Sequence, residues 1–74
     1  MKPAMPDRQE QILAYIAEFT GEHHYPPTVR EIASACGFKA ESAVQYHLNR
    51  LEDSGIITRT RNVARSIVIK EQAK

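Results

Sequence analysis

The chain has 74 residues, a formal net charge of +1 and a single cysteine. That length holds one domain with a small core, and a lone cysteine excludes an internal disulfide. No apolar run follows Met1-Lys2 and no stretch could span a bilayer, so a cytoplasmic setting without membrane contact is expected. Charge is divided unevenly. Residues 1–38 carry Lys2, Arg8 and Arg30 against Asp7, Glu10, Glu18, Glu22 and Glu31, a balance of −2, whereas residues 39–74 balance at +3. The second half is therefore the side expected to meet a nucleic acid.

Residues 1–6 read as a tail without periodicity, and residues 7–70 as the domain. Asp7 is placed to cap a first helix over residues 8–20. Ile12, Ile16 and Phe19 form its apolar stripe, widened by Leu13 and Tyr15, and Gly21 is its expected stop. Pro26-Pro27 cannot lie inside a helix and hold the preceding residues extended.

Thr28 opens the next helix. Glu31 three residues on makes a capping box, and Val29, Ile32, Ala33 and Cys36 recur at helical spacing. Gly37 falls where the chain needs a left-handed residue. Cys36, on the apolar face, reads as a small buried hydrophobe. The pattern resumes with Val44, Leu48 and Leu51 at i, i+4 and i+7, which is one stripe of a third helix. Its start is open between Ala40, a poor cap, and Ser42, which with Gln45 forms a second possible capping box. Ser42, Gln45, Tyr46 and Asn49 fall opposite the stripe. Two helices, a tight turn with glycine and a polar outer face make a helix-turn-helix, whose second helix enters the DNA major groove. Phe38 in the turn is expected to plug the core, and Lys39 to lie where a phosphate would sit.

After Gly55 the period changes. Residues 56–60 and 65–69 are β-branched runs around the turn Arg61-Asn62-Val63-Ala64. The expected architecture is mainly α with a small β-hairpin, a winged helix-turn-helix of three helices plus wing. No acidic residue interrupts residues 56–69, so Arg59, Arg61 and Arg65 suit phosphate or minor-groove contact. The bland alternative is a charge pattern that protects an exposed sheet edge. Residues 71–74 are expected to fray or to begin a linker.

Arg8-Gln9 before an apolar helix, the run Tyr25-Pro26-Pro27-Thr28-Val29-Arg30-Glu31-Ile32, Gly37-Phe38, His47-Leu48, Leu51-Glu52, Gly55-Ile56-Ile57 and Arg65 follow one another in a distinctive order. In this the sequence resembles the N-terminal DNA-binding domain of the LexA family of repressors, over about residues 5–70. The resemblance implies a winged helix that binds half of a palindromic double-stranded operator as a homodimer on DNA. It also implies repression of DNA-damage (SOS) genes, or of their own regulatory genes in phage and mobile-element relatives, in a bacterial, nucleoid-associated setting. By position, Ser42, Ala43, Gln45 and Tyr46 look like base-reading residues, and Arg8, Thr28 and Arg65 like backbone contacts. Gln45 and Tyr46 depart from the Glu-Glu pair of the enterobacterial branch. Gln45 could read adenine through its N6/N7 edge, and Ala43 could touch a thymine methyl. Nothing in the sequence corresponds to the dimerising, self-cleaving domain that family repressors carry, and the proximity of Ser66 and Lys70 reads as chance. The chain is expected to be an isolated domain of a longer protein or a short stand-alone relative.

No phosphate loop, cofactor motif or metal-ligand spacing is present in the sequence. His23-His24 reads as solvated loop, and Glu41, Glu52 and Asp53 as a charged helix surface. His47 is expected to pack half-buried rather than to touch phosphate. No enzyme and no small-molecule substrate are expected. The rival readings are a short phage, mobile-element or antitoxin-type regulator, and a winged-helix module that docks proteins, since a net charge of +1 is modest for a DNA binder.

Overall fold

A computed structural model describes residues 7–60 and 62–70. Helix α1 spans Asp7–His23, α2 Val29–Cys36 and α3 Glu41–Asp53, followed by strands β1, Ile57–Thr58, and β2, Val68–Ile69. The strands pair antiparallel, Ile57 opposite Ile69 and Thr58 opposite Val68. Three helices and a hairpin make the winged helix-turn-helix expected from the sequence.

One core joins all five elements. Ile12 and Ile16 of α1, Ile32, Ala33 and Cys36 of α2, Val44, Leu48 and Leu51 of α3, and Ile57 and Ile67 of the wing are buried together. Phe38 packs against this cluster from the turn.

Both motif helices end in the same way. Gly37 takes φ 77°, and the Phe38 amide donates to the Ala33 carbonyl at 2.9 Å. Gly55 takes φ 79°, and the Ile56 amide donates to the Leu51 carbonyl at 3.0 Å. These bonds satisfy carbonyls that a helix end leaves orphaned, and a left-handed residue makes the turn possible. At the start of α2 the capping box forms in full: Thr28 Oγ1 accepts from the Glu31 amide, and Glu31 Oε1 accepts from the Thr28 amide. Helix α3 starts at Glu41 from Ala40, which supplies no side-chain cap. Ser42 is inside the helix, so its hydroxyl is not used as the cap.

Two local expectations differ from the structure. Helix α1 does not stop at Gly21 but runs to His23, and His24 takes the left-handed turn at φ 67°. Rings from both sides of Gly21 hold this extra turn: His23 lies 4.1 Å from Phe19 and 5.6 Å from Tyr25, centroid to centroid. Asp7, expected as the cap, lies within α1. The strands are also shorter than the β-branched runs, two residues each. Their place at the tip is taken by side-chain bonding: Ser66 Oγ accepts from the Thr60 amide and lies within donating distance of the Thr60 and Val63 carbonyls. The tail 1–6, the segment 71–74 and Arg61 lie outside the described residues.

Candidate nucleic-acid interface

With Val44, Leu48 and Leu51 fully buried, the opposite side of α3 is left to solvent. Ser42, Gln45, Tyr46 and Asn49 are exposed there, and Ala43 is half-buried beside them. Tyr46 keeps 57% of its surface accessible. Lys39 stands exposed just before the helix. Arg50 is exposed four residues after Tyr46, on the same side of α3. The sequence reading passed over Arg50, although the i+4 relation to Tyr46 was available to find it.

Two flanks hold this face in place. On the α1 side, Arg8 lies over the Phe38 ring at 4.2 Å and donates to the Cys36 carbonyl at 3.0 Å. Gln9, buried at 8% exposure, lies 3.2 Å from His47 Nδ1 through its amide nitrogen, which donates. His47 also packs against Phe38 and Tyr46, with centroids at 5.7 and 5.2 Å.

On the wing side, an open polar cleft of about 680 Å³ separates α3 and the start of α2 from the hairpin. Arg59 crosses it. Its Nε donates to Glu52 Oε1 at 3.0 Å, Nη1 donates to Gln45 Oε1 at 2.8 Å, and Nη2 donates to Asn49 Oδ1. Arg65 closes the other end. It grips both carboxylate oxygens of Glu31 at 3.0 and 3.1 Å, donates to the Pro26 carbonyl, and lies 4.7 Å from the Tyr25 ring. The hydrogen bonds from Arg65 and then from the Thr28 amide hold the Glu31 carboxyl below its ordinary range, and the bond to Glu31 raises the pKa of Arg65. Arg65 has φ 57°, a left-handed conformation that costs a side chain energy and that the Glu31 clasp helps maintain. Arg30 pairs loosely with Glu41 at 3.4 Å, both well exposed.

The structure thus gathers Gln45, Asn49 and Arg59 into one cluster and leaves Ser42, Tyr46 and Lys39 facing outward. Arg8, Arg59 and Arg65 each have internal partners in the free chain. Glu52 and Gln9, which the sequence reading did not single out as partners, anchor the two flanks. Among the described residues no cluster of His, Cys, Asp or Glu could hold a metal ion, and no helix is long and apolar enough to cross a membrane.

A three-helix core, an exposed polar recognition helix and a hairpin beside it define a winged helix-turn-helix DNA-binding module. The description of the family that matches residues 1–66 is the LexA DNA-binding domain. The chain belongs to that family. It is 48% identical over 63 residues to the LexA repressor of Roseiflexus sp. (strain RS-1), covering 85% of this chain and 29% of the relative. It is 45% identical over 69 residues to the LexA repressor of Caldicellulosiruptor saccharolyticus, covering 93% and 34%. It is 35% identical over 65 residues to that of Desulfatibacillum aliphaticivorans, covering 88% and 32%. The chain therefore spans about a third of the length of the curated relatives it matches.

Proposed function

We propose that this domain directs a transcriptional repressor to a palindromic operator, one copy on each half-site, and that it represses by covering promoter DNA. Helix α3 lies in the major groove, where Ser42, Ala43, Gln45, Tyr46 and Asn49 meet base edges. Thr28 and Lys39 meet the backbone at the starts of α2 and α3, and the hairpin with Arg61 follows the neighbouring strand. The exposed polar face of α3, held between two bonded flanks, carries this reading. Such a face has no role in the core, and its dimensions suit a groove about 12 Å wide. Control of DNA-damage genes is the regulatory role that the LexA resemblance suggests.

A selection from a random duplex pool, followed by titration of the winner at several salt concentrations, tests the proposal. The expected result is an enriched inverted repeat whose log affinity falls linearly with log salt, by about 0.9 per phosphate contacted. Gln45→Ala should erase preference at one position per half-site. Absence of enrichment and of salt-sensitive duplex binding would turn the search to protein partners of the same face.

A further inference from the structure

Arginine carries five N–H donors and no acceptor. An amide that hydrogen-bonds to Arg59 must therefore face it with its oxygen. Gln45 and Asn49 both do so, and this fixes the orientation of two amides: their oxygens turn toward Arg59, and their NH2 groups turn away from it. Glu52 pairs with the same guanidinium, and the Arg59 side chain retains only 17% of its surface. To reach a phosphate, Arg59 would have to abandon three acceptors at once. It is better described as a peg beneath the polar face than as a free cation on the wing.

We infer that Arg59 sets the base preference of the recognition helix by presenting Gln45 and Asn49 as hydrogen-bond donors, so that Gln45 selects guanine over adenine. This rests on the proposal that the α3 face reads DNA. Bidentate reading of adenine needs an amide oxygen to accept from N6 and an amide nitrogen to donate to N7. Gln45 turns its oxygen toward Arg59 and its NH2 group away, so its N–H groups rather than its oxygen lead toward a base. Guanine presents two acceptors in the major groove, O6 and N7, and no donor there, so it matches an amide that leads with its N–H groups. Adenine offers N7 alone and sets its N6 donor against the N–H groups. Arg59 acts through Gln45 and Asn49 and is a positioning residue. Its charge, offset by Glu52, serves to orient rather than to attract.

The test begins with base-preference profiles of the wild-type chain and of Gln45→Ala. The position whose preference disappears in Gln45→Ala is the one Gln45 reads. At that position the wild type should favour guanine over adenine by about tenfold or more, and 7-deazaguanine should weaken binding by a similar factor. Arg59→Met should then move that position toward adenine and leave positions remote from Gln45 and Asn49 unchanged, whereas a merely structural role would weaken binding to all duplexes alike. Adenine preference in the wild type, indifference to 7-deazaguanine, or an unaltered profile in folded Arg59→Met overturns the inference. If Arg59→Met does not fold, the nucleobase comparison, made with the wild-type chain, still decides. Failure of the wild type to bind any duplex is a different result, and it overturns the DNA reading itself.

Discussion

The helix-turn-helix and the wing are held by different forces. In the motif, Ile32, Val44 and Leu48 have no exposed surface and Leu51 has 1%, and both helices end in backbone bonds around a left-handed glycine. Among the described residues of the wing only Ile57 and Ile67 are buried, Val68 is 54% exposed, and each strand is two residues long. Beyond these two buried residues the hairpin is fastened by Arg59 to α3 and by Arg65 to Glu31. Apolar burial involves no titrating group and is not screened by salt, whereas exposed ion pairs weaken as salt screens them and as acid protonates the carboxylate. The motif is thus a fixed frame, and the wing is an attachment whose hold depends on conditions.

The largest test of that difference is Leu48→Ala. It removes a wholly buried side chain from the point where α3 meets the other helices, and should cost about 2–5 kcal/mol. In a domain this small that is roughly 8–40 °C of Tm. Urea and thermal melts followed by helical circular dichroism should show a single transition at a lowered midpoint.

Two glycines then separate local geometry from packing. Gly37 has φ 77° and no atom near a prospective Cβ, so Gly37→Ala strains the backbone without a clash. The expected loss is about 1 kcal/mol. Gly21 also faces open space, but it lies within α1 without a left-handed φ. Gly21→Ala should therefore stabilise by about 0.5–1 kcal/mol. Opposite signs in the same denaturation assay are the expected outcome. A loss at Gly21 would mean that the last turn of α1 is not helical.

The same contrast explains how much of the molecule was legible in its sequence. The motif helices could be read because their determinants are local: the capping box spans Thr28 to Glu31, and the stripe in α3 repeats within one helix. Gly21 misled because a glycine permits a stop without requiring one. Here Phe19 and Tyr25 hold His23 in a further turn, a specific contact of neighbouring rings that single-residue propensity does not contain. The polar face of α3 was legible from helical periodicity, but its internal bonding was not. Arg8 reaches 28 residues to the Cys36 carbonyl, Arg59 reaches 14 to Gln45, and Arg65 reaches 34 to Glu31. A run of like charges in sequence shows that no acidic neighbour is adjacent along the chain. It does not show whether folding will bring one.

The smallest expected effect is confined to the wing and is driven by pH. The Glu31 carboxyl is held below its ordinary value of 4.5, first by Arg65 and then by the Thr28 amide. A depressed carboxylate contributes stability that is fully present above its unfolded value and is lost as pH falls through the folded one. Acid should therefore release the Glu31–Arg65 clasp before the apolar core responds. Amide chemical shifts of Ile67 and Val68 should move together below about pH 4.5 while that of Leu48 stays in place. In Arg65→Met the clasp is absent at every pH, so the wing shifts should begin near their acid values and change little, whereas the Thr28 amide should still titrate through its bond to the Glu31 carboxylate. If the wing and Leu48 amides instead titrate together in the wild type, the hairpin is part of the rigid frame, and the distinction between the two regions fails.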